Sequence, residues 1–187
     1  MNPTLPLPTA NSSRPEALEI QRAIRNVPDF PKPGIQFKDI TPVLAEARLF
    51  SSAIDLLTEG FKPGEVDAVV GIDARGFIFA SAAAVKLRAG LVPVRKKGKL
   101  PFTTVEEEYA LEYGTATIAI HVDAIQPGSR VLLIDDLLAT GGTAAAAAAL
   151  VRKLGGNILE ISFLIELAFL NGRERLKGCP VRSIVVY

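Results

Sequence analysis

The chain has 187 residues and a mass of 19.9 kDa, and its 21 basic and 20 acidic side chains give a net charge of +1. This length suits one globular domain, so binding and catalysis must share a single fold. The near-neutral charge argues against a nucleic-acid partner or an anionic membrane surface. A single cysteine, Cys179, excludes an internal disulfide and a multi-cysteine metal site, which suits a cytoplasmic protein.

The first 14 residues are rich in Pro, Ser and Thr, and we predict a loose tail over 1–14 followed by one domain over 15–187. Prolines interrupt the apolar residues of this opening stretch, so the pattern does not predict a signal peptide. The longest charge-free run, 137–151, has 15 residues. It falls short of the roughly 20 apolar residues that cross a bilayer, so we expect no membrane partner.

Two kinds of apolar segment alternate along the chain. Helical spacing predicts helices over 15–24, 48–59, 77–88 and the alanine run 144–149. Compact apolar runs predict strands over 66–72, 91–94, 115–122, 131–134, 158–167 and 183–187. The proline cluster PDFPKPG, 28–34, is expected to be irregular. Strands that alternate with helices predict an α/β fold with a largely parallel central sheet.

The stretch 95–114, RKKGKLPFTTVEEEYALEYG, breaks this alternation. It combines a basic cluster, a proline and three successive glutamates, and it is long for a connection. Loops longer than about 12 to 15 residues in compact domains are usually functional or disordered. We predict a lid, or a projecting hairpin, with the lid loop over about 96–114. A solvated excursion without a role is the alternative.

The segment VLLIDDLLATGGTAAAAAAL, 131–150, predicts an anion site. A buried strand ends at Asp135 and Asp136, and a glycine-containing loop then opens a helix. Glycines let the backbone approach a ligand closely, and N–H groups at a helix start donate to phosphate oxygens. Two adjacent carboxylates suit sugar hydroxyls better than a phosphate. Because ligands of open α/β sheets bind at the carboxyl ends of strands, the segment predicts a site for a phosphorylated ribose.

Four ordered motifs resemble the type I phosphoribosyltransferases, and the adenine-specific branch of that family in particular. They are PDFPKPGIQFKDITPVL, GIDARGF, VRKKGKL followed by ALEYG, and the segment 131–150. The resemblance implies a mostly parallel sheet flanked by helices, with a small hood and a flexible lid. It also implies transfer of a phosphoribosyl group from phosphoribosyl pyrophosphate to adenine, giving AMP and pyrophosphate in purine salvage. A homodimer and Mg²⁺ carried mainly by substrate oxygens are implied as well, with no dedicated protein ligands.

The resemblance assigns roles to the residues of these motifs. The 5′-phosphate would be held by Ala139, Thr140, Gly141, Gly142 and Thr143, and the ribose hydroxyls by Asp135 and Asp136. Pyrophosphate would be met by Asp73, Ala74, Arg75, Gly76, Arg95, Lys96 and Lys99. Arg75 is also a candidate catalytic residue, and the loop that contains it often has a non-proline cis peptide in this family.

The same resemblance implies that adenine stacks on Phe37, is read by the Lys38 main chain and is walled by Leu167. Part of the family has arginine at the position of Lys38, and lysine is not equivalent where a planar guanidinium is needed. Glu112 in ALEYG is the candidate acid/base for a ring proton, and Tyr113 would help the lid to close. The only histidine, His121, receives no role.

Two alternatives remain open at this point. One is a phosphoribosyltransferase for a 6-oxopurine, whose hydrogen bonding at position 6 is opposite to that of adenine. The other is a non-catalytic sensor of phosphoribosyl pyrophosphate, although the short, non-basic tail offers no nucleic-acid module. Fold alone does not separate these functions.

Overall fold

The computed structural model describes residues 14–110 and 114–187. Most of the predicted tail, and both Glu112 and Tyr113 in the predicted lid loop, lie outside these ranges. The described helices are α1 (Pro15–Ala23), α2 (Thr41–Ala45), α3 (Ala47–Leu57), α4 (Gly76–Leu87) and α5 (Gly142–Lys153). The described strands are β1 (Arg25–Pro28), β2 (Gln36–Asp39), β3 (Ala68–Ile72), β4 (Gly90–Lys96), β5 (Thr104–Ala110), β6 (Thr115–His121), β7 (Arg130–Leu138), β8 (Asn157–Glu166) and β9 (Val181–Val186).

A central sheet has the strand order β5-β6-β4-β3-β7-β8-β9. Strands β4, β3, β7, β8 and β9 run parallel, whereas β5 and β6 form an antiparallel hairpin at the β4 edge. The predicted α/β fold with a largely parallel sheet is therefore confirmed. Among the described residues, no helix is long and apolar enough to cross a membrane.

Side chains of the central strands alternate between two hydrophobic cores, because successive residues of a strand point to opposite faces of a sheet. Val69 and Leu132 belong to the core shared with α1, α3 and α4. Val70 and Leu133 belong to the core shared with α5. The sheet is thus covered on both faces, which leaves the carboxyl ends of its parallel strands as the open edge.

Strand β7 is longer than the predicted strand 131–134, since it continues to Leu138. Strand β8 pairs with it over this extra length, with Asp135 opposite Phe163 and Leu138 opposite Glu166. The parallel ladder satisfies backbone groups that a loop would leave to water. Asp135 and Asp136 consequently lie within the strand, and the loop begins only after Leu138.

Strands are present in two regions for which the sequence predicts no regular strand. In the proline-rich region, β1 and β2 form a separate two-stranded sheet in which Val27 lies opposite Phe37. This small sheet matches the expected hood. Residues 29–34 are irregular as predicted, whereas Pro28 of the predicted irregular cluster is the last residue of β1. Part of the stretch 95–114 forms β5, which pairs with β6 as an antiparallel hairpin. A hairpin was one of the two forms predicted for this stretch. The role of this stretch as a lid remains a prediction.

Candidate active site

Residues 139–143, which we call the phosphate loop, comprise the connection after β7 and the first two residues of α5. They line a pocket together with Asp135 and Leu138. Gly141 has a φ of +80°, a left-handed conformation that glycine adopts without a steric penalty. Gly141 is also the N-cap residue of α5, and it has no side chain that could cap the helix start. The first N–H groups of a helix have no intrahelical partner, and the helix dipole makes this end positive. The residues predicted to hold a phosphate therefore lie at a helix start whose N–H groups are suited to an anion.

A short 3₁₀ helix, Gly172–Leu176, packs against this loop. A Cβ on Gly141 would lie 2.3 Å from the Gly172 carbonyl oxygen, and a Cβ on Gly172 would lie 2.2 Å from the Ala139 carbonyl oxygen. Both distances are under 3.0 Å, a limit that real Cβ atoms essentially never cross. The two backbones approach this closely only because both residues are glycines. Gly172 follows β8 and stands in no recognised motif, so nothing in the sequence predicted this contact.

Arg173 fixes this 3₁₀ helix to the end of the sheet. Its Nε donates to both carboxylate oxygens of Glu166, at 2.7 and 2.8 Å. Its two Nη groups donate to the Val181 carbonyl and the Ser183 hydroxyl, at 3.0 and 3.1 Å. Burial alone would raise the pKa of Glu166, but the hydrogen bonds from Arg173 and Ser183 lower it overall. A charged and fully bonded pair therefore holds Gly172 against the phosphate loop.

The two acids of β7 differ in their surroundings. Asp136 is 6% exposed, and its Oδ2 lies 2.8 Å from Nε of Arg75. Asp135 accepts a hydrogen bond from the backbone N–H of Asp136 at 2.9 Å. Burial and the neighbouring Asp136 carboxylate raise the pKa of Asp135 well above its ordinary value. Burial also raises the pKa of Asp136, although Arg75 opposes that shift. Asp136 is thus the better candidate for a charged acceptor.

The GIDARGF loop lies between the acids and the hood. The Asp73–Ala74 peptide is cis, as the family resemblance implies. A Cβ on Gly76 would lie 2.6 Å from Oδ1 of Asp135 and 3.1 Å from the Ile134 carbonyl oxygen, so the glycine lets α4 start close to β7. The guanidinium carbon of Arg75 lies 5.2 Å from the centroid of the Phe37 ring. Arg75 therefore contacts both a predicted base residue and a predicted ribose residue.

The basic side chains that are predicted to bind pyrophosphate lie beside this loop, at the end of β4. Nε of Arg95 donates to Oδ2 of Asp73 at 3.0 Å, and its Nη1 donates to the Lys99 carbonyl at 3.0 Å. The Lys99 N–H donates in turn to the Lys96 carbonyl at 3.1 Å. Lys96 and Lys99 are exposed. The structure thus groups Asp73, Arg95, Lys96 and Lys99 in one place.

In the hood, Phe37 makes an edge contact with Phe30 at a centroid distance of 5.0 Å. Nζ of Lys38 donates to Oδ1 of Asn26 at 2.7 Å and lies 3.5 Å from the centroid of the Tyr187 ring. Burial lowers the pKa of Lys38. The Lys38 side chain is therefore already engaged within the protein. Leu167 lies next to the start of the phosphate loop, because its N–H donates to the carbonyl of Leu138, the last residue of β7, at 2.9 Å.

Two further residues at the phosphate loop were missed from the sequence. The hydroxyls of Tyr109 in β5 and Thr143 lie 3.1 Å apart. Nη1 of Arg175 would lie 3.8 Å from a Cβ on Gly142. Neither residue stands in a motif that resembles the family, and only the packing of β5 and the 3₁₀ helix on α5 brings them here. His121 accepts a hydrogen bond from the Phe102 N–H at 3.4 Å, which is a structural contact.

Comparison with protein families agrees with this site. A model described as "Phosphoribosyl transferase domain" matches residues 36–182, which cover the hood strand β2, the GIDARGF loop and the phosphate loop. The chain belongs to the phosphoribosyl transferase family.

Individual relatives indicate which branch of this family the chain resembles. A protein named adenine phosphoribosyltransferase from Chloroflexus aurantiacus is 56% identical over 90% of this chain and 98% of its own length. The protein of the same name from Acidothermus cellulolyticus is 58% identical over 87% of this chain and 92% of its own length. The crystal structure of adenine phosphoribosyltransferase from Rhodothermus marinus shares 54% identity, with a TM-score of 0.88 over 92% of this chain and 98% of that one. Within its family, the chain is thus placed in the adenine phosphoribosyltransferase branch.

Proposed function

We propose that the protein transfers the 5-phosphoribosyl group from phosphoribosyl pyrophosphate to N9 of adenine, forming AMP and releasing pyrophosphate. The observation that carries this proposal is the contact path from Phe37 through Arg75 to Asp136, next to the phosphate loop. It joins the predicted base, pyrophosphate and ribose residues in one site. The Saccharomyces cerevisiae relative, 42% identical with a TM-score of 0.85 over 90% of this chain and 98% of that one, is complexed with adenine.

In this reaction the C1′–O bond to pyrophosphate breaks and a C1′–N9 bond forms. Residues 139–143 bind the 5′-phosphate through backbone N–H groups and the Thr140 and Thr143 hydroxyls. Asp136 accepts a hydrogen bond from one ribose hydroxyl, and Asp135 bonds the other. Holding the sugar at both ends restricts C1′ to the approach that the base requires.

Negative charge develops on the leaving pyrophosphate. Arg75 and Arg95, with Lys96 and Lys99, supply the compensating positive charge, while the backbone of the loop Asp73, Ala74 and Gly76 donates to phosphate oxygens. Asp73 acts here as the carboxylate that orients Arg95, given their 3.0 Å hydrogen bond. Such preorganised donors stabilise the oxocarbenium-like transition state because they need not reorient as the bond breaks.

Adenine stacks on Phe37 and is enclosed by Leu167, and the Lys38 main chain reads its edge. The engagement of the Lys38 side chain by Asn26 and Tyr187 favours this main-chain role. Glu112 takes the proton that N9 loses as the new bond forms, and Tyr113 helps to exclude water. Both roles rest on the ALEYG motif.

Phosphoribosyltransferases use Mg²⁺ together with phosphoribosyl pyrophosphate, and the donor set here fits an ion carried by the substrate. Within 14–110 and 114–187, no group of three or more His, Cys, Asp or Glu side chains could hold a metal ion. Asp136 is paired with Arg75, and burial together with the neighbouring Asp136 carboxylate raises the pKa of Asp135. Substrate oxygens and water would thus supply most of the ligands of the ion, which would lie near Asp135 and Asp136. The ion would neutralise charge on the pyrophosphate.

We also propose a homodimer, in which the basic loop at the end of β4 approaches the neighbouring subunit, and a cytoplasmic location. The homodimer rests on the resemblance to the family, and the location rests on the single cysteine, which suits a reducing compartment. Sedimentation of the full chain would measure the oligomeric state directly, and a monomer at micromolar concentration would contradict the dimer.

The function is tested by phosphoribosyl pyrophosphate-dependent nucleotide formation with Mg²⁺ from adenine, hypoxanthine, guanine and xanthine in parallel. We expect AMP from adenine alone. IMP, GMP or XMP would indicate the 6-oxopurine specificity instead. Absence of product from every base, despite binding of the sugar phosphate, would indicate the sensor.

The role of Glu112 is tested with a matched pair of variants. Glu112→Ala should lower kcat by about 10²- to 10⁴-fold, the usual contribution of a general acid or base. Glu108→Ala removes an exposed carboxylate from β5 and should leave kcat within about twofold, since surface changes of this kind are normally small. Equal losses in both variants would contradict the assignment.

A further inference from the structure

The contact between β5 and the phosphate loop is not used by any role above. Tyr109 Oη lies 3.1 Å from Thr143 Oγ1, and its ring packs on the start of α5, where a Cβ on Gly142 would lie 3.2 Å from Cδ2. Thr143 is partly buried in the first turn of α5. Tyr109 therefore contacts the phosphate loop from the protein side through both its ring and its hydroxyl.

We infer that Tyr109 is a positioning residue that orients the Thr143 hydroxyl toward the 5′-phosphate. This inference rests on the proposed function, because it takes Thr143 to be a phosphate ligand. A hydroxyl has one hydrogen to donate and can accept two hydrogen bonds. In the Tyr109–Thr143 pair either oxygen can supply the hydrogen. If Thr143 donates to Tyr109, no hydrogen remains for the phosphate.

A phosphate group resolves this choice, since its ionised oxygens only accept hydrogen bonds. Thr143 then donates to the phosphate and accepts from Tyr109, so that the three groups form one directed chain. A phenol is a stronger hydrogen-bond donor than an aliphatic hydroxyl, so Tyr109 is the natural donor of the pair. Bonds in such a chain polarise one another, which strengthens the bond from Thr143 to the phosphate.

Tyr109 can set the orientation of Thr143 because β5 is itself fixed to α5. Lys153, in the last turn of α5, donates from Nζ to the Glu106 carbonyl at 3.1 Å and lies 2.5 Å from the Glu107 carboxylate. On its other side, β5 pairs with β6, and Tyr109 lies opposite Ala116. The tyrosine thus approaches Thr143 from a strand that is anchored at both sides.

The test is a double-mutant cycle read by calorimetric binding of ribose 5-phosphate to the full chain. Tyr109→Phe keeps the ring on Gly142 and removes only the hydroxyl. We expect it to raise the Kd by about three- to tenfold, the effect of one lost hydrogen bond. In a Thr143→Val background the same change should have no further effect, because no hydroxyl is left to orient. In a Thr143→Ser background the effect should persist.

Three outcomes would overturn the inference. An unchanged Kd in Tyr109→Phe would show that the hydroxyl does not act on the phosphate. An equal loss in the Thr143→Val background would show that Tyr109 acts by another route, and a loss of melting temperature that fully accounts for the weaker binding would show a structural role. A wild-type protein that neither binds ribose 5-phosphate nor forms AMP would instead refute the proposed function itself.

Discussion

Replacing Gly172 with alanine tests whether the 3₁₀ helix after β8 sets the shape of the phosphate loop. The new Cβ would lie 2.2 Å from the Ala139 carbonyl oxygen and 3.1 Å from the Gly141 nitrogen, both backbone atoms that no rotamer change can move. Ordinary contact begins at 3.4 Å, so the two segments must separate by about 1.2 Å. Overpacking of this kind costs about 1–3 kcal/mol.

Two other glycines separate this steric effect from backbone strain. Gly128 has a φ of +85° with nothing within 4 Å of its Cβ position, so Gly128→Ala carries only the left-handed penalty of about 1–2 kcal/mol. Gly141→Ala combines a φ of +80° with a 2.3 Å approach to Gly172, which gives about 2–5 kcal/mol in total. Gly172→Ala carries the steric part alone, since its φ is not left-handed.

Urea unfolding measures the three losses of stability, and calorimetric binding of ribose 5-phosphate measures their consequence for the site. We expect Gly172→Ala and Gly141→Ala to weaken binding by about 10- to 100-fold, since misplacement of binding groups by 1 Å has effects of this order. Gly128→Ala should leave the Kd unchanged. If Gly172→Ala binds as tightly as the wild type, the 3₁₀ helix does not shape the phosphate loop.

Two predictions concern the charged groups beside the loop. The raised pKa of Asp135 means that folding takes up a proton between the ordinary value of 3.8 and the higher folded value, so stability falls as pH rises through that window and stays lower above it. Asp135→Asn keeps an oxygen to accept from Asp136 and should be more stable than the wild type at pH 7. Urea unfolding across pH should show the gain vanish below about 3.8, and a gain that grows on acidification would contradict the assignment. Arg75→Gln should raise the pKa of Asp136 further, because the guanidinium opposes the effect of burial. It should also raise the KM values for both substrates, measured by initial rates, and an increase for only one would show that Arg75 serves a single subsite.

Much of the fold could be predicted because its signals are local. The apolar runs that form β3 and β8 and the alanine run of α5 each specify their own element. The phosphate loop was predictable for the same reason, since strand, glycines and helix follow one another within twenty residues. The pairing that extends β7 to Leu138 depends on the length of β8, which no property of β7 reveals.

The supporting contacts of the site could not be predicted in this way. Gly172 meets Gly141, and Tyr109 meets Thr143, across separations of about thirty residues, and neither pair has a periodic or compositional signal. Glu166 and Arg173 each resemble an ordinary surface charge in the sequence. Their significance appears only when β8 and β9 bring the carboxylate, the Val181 carbonyl and the Ser183 hydroxyl around one guanidinium.

The position of Arg75 has a thermodynamic consequence for the order in which ligands act on the site. One guanidinium contacts the Phe37 ring on one side and the Asp136 carboxylate on the other. A ligand that immobilises this side chain from either side removes part of the entropy that the second ligand would otherwise have to remove. Linkage makes such an effect reciprocal, so under the proposed function we expect the base and the sugar phosphate to strengthen each other's binding by the same factor.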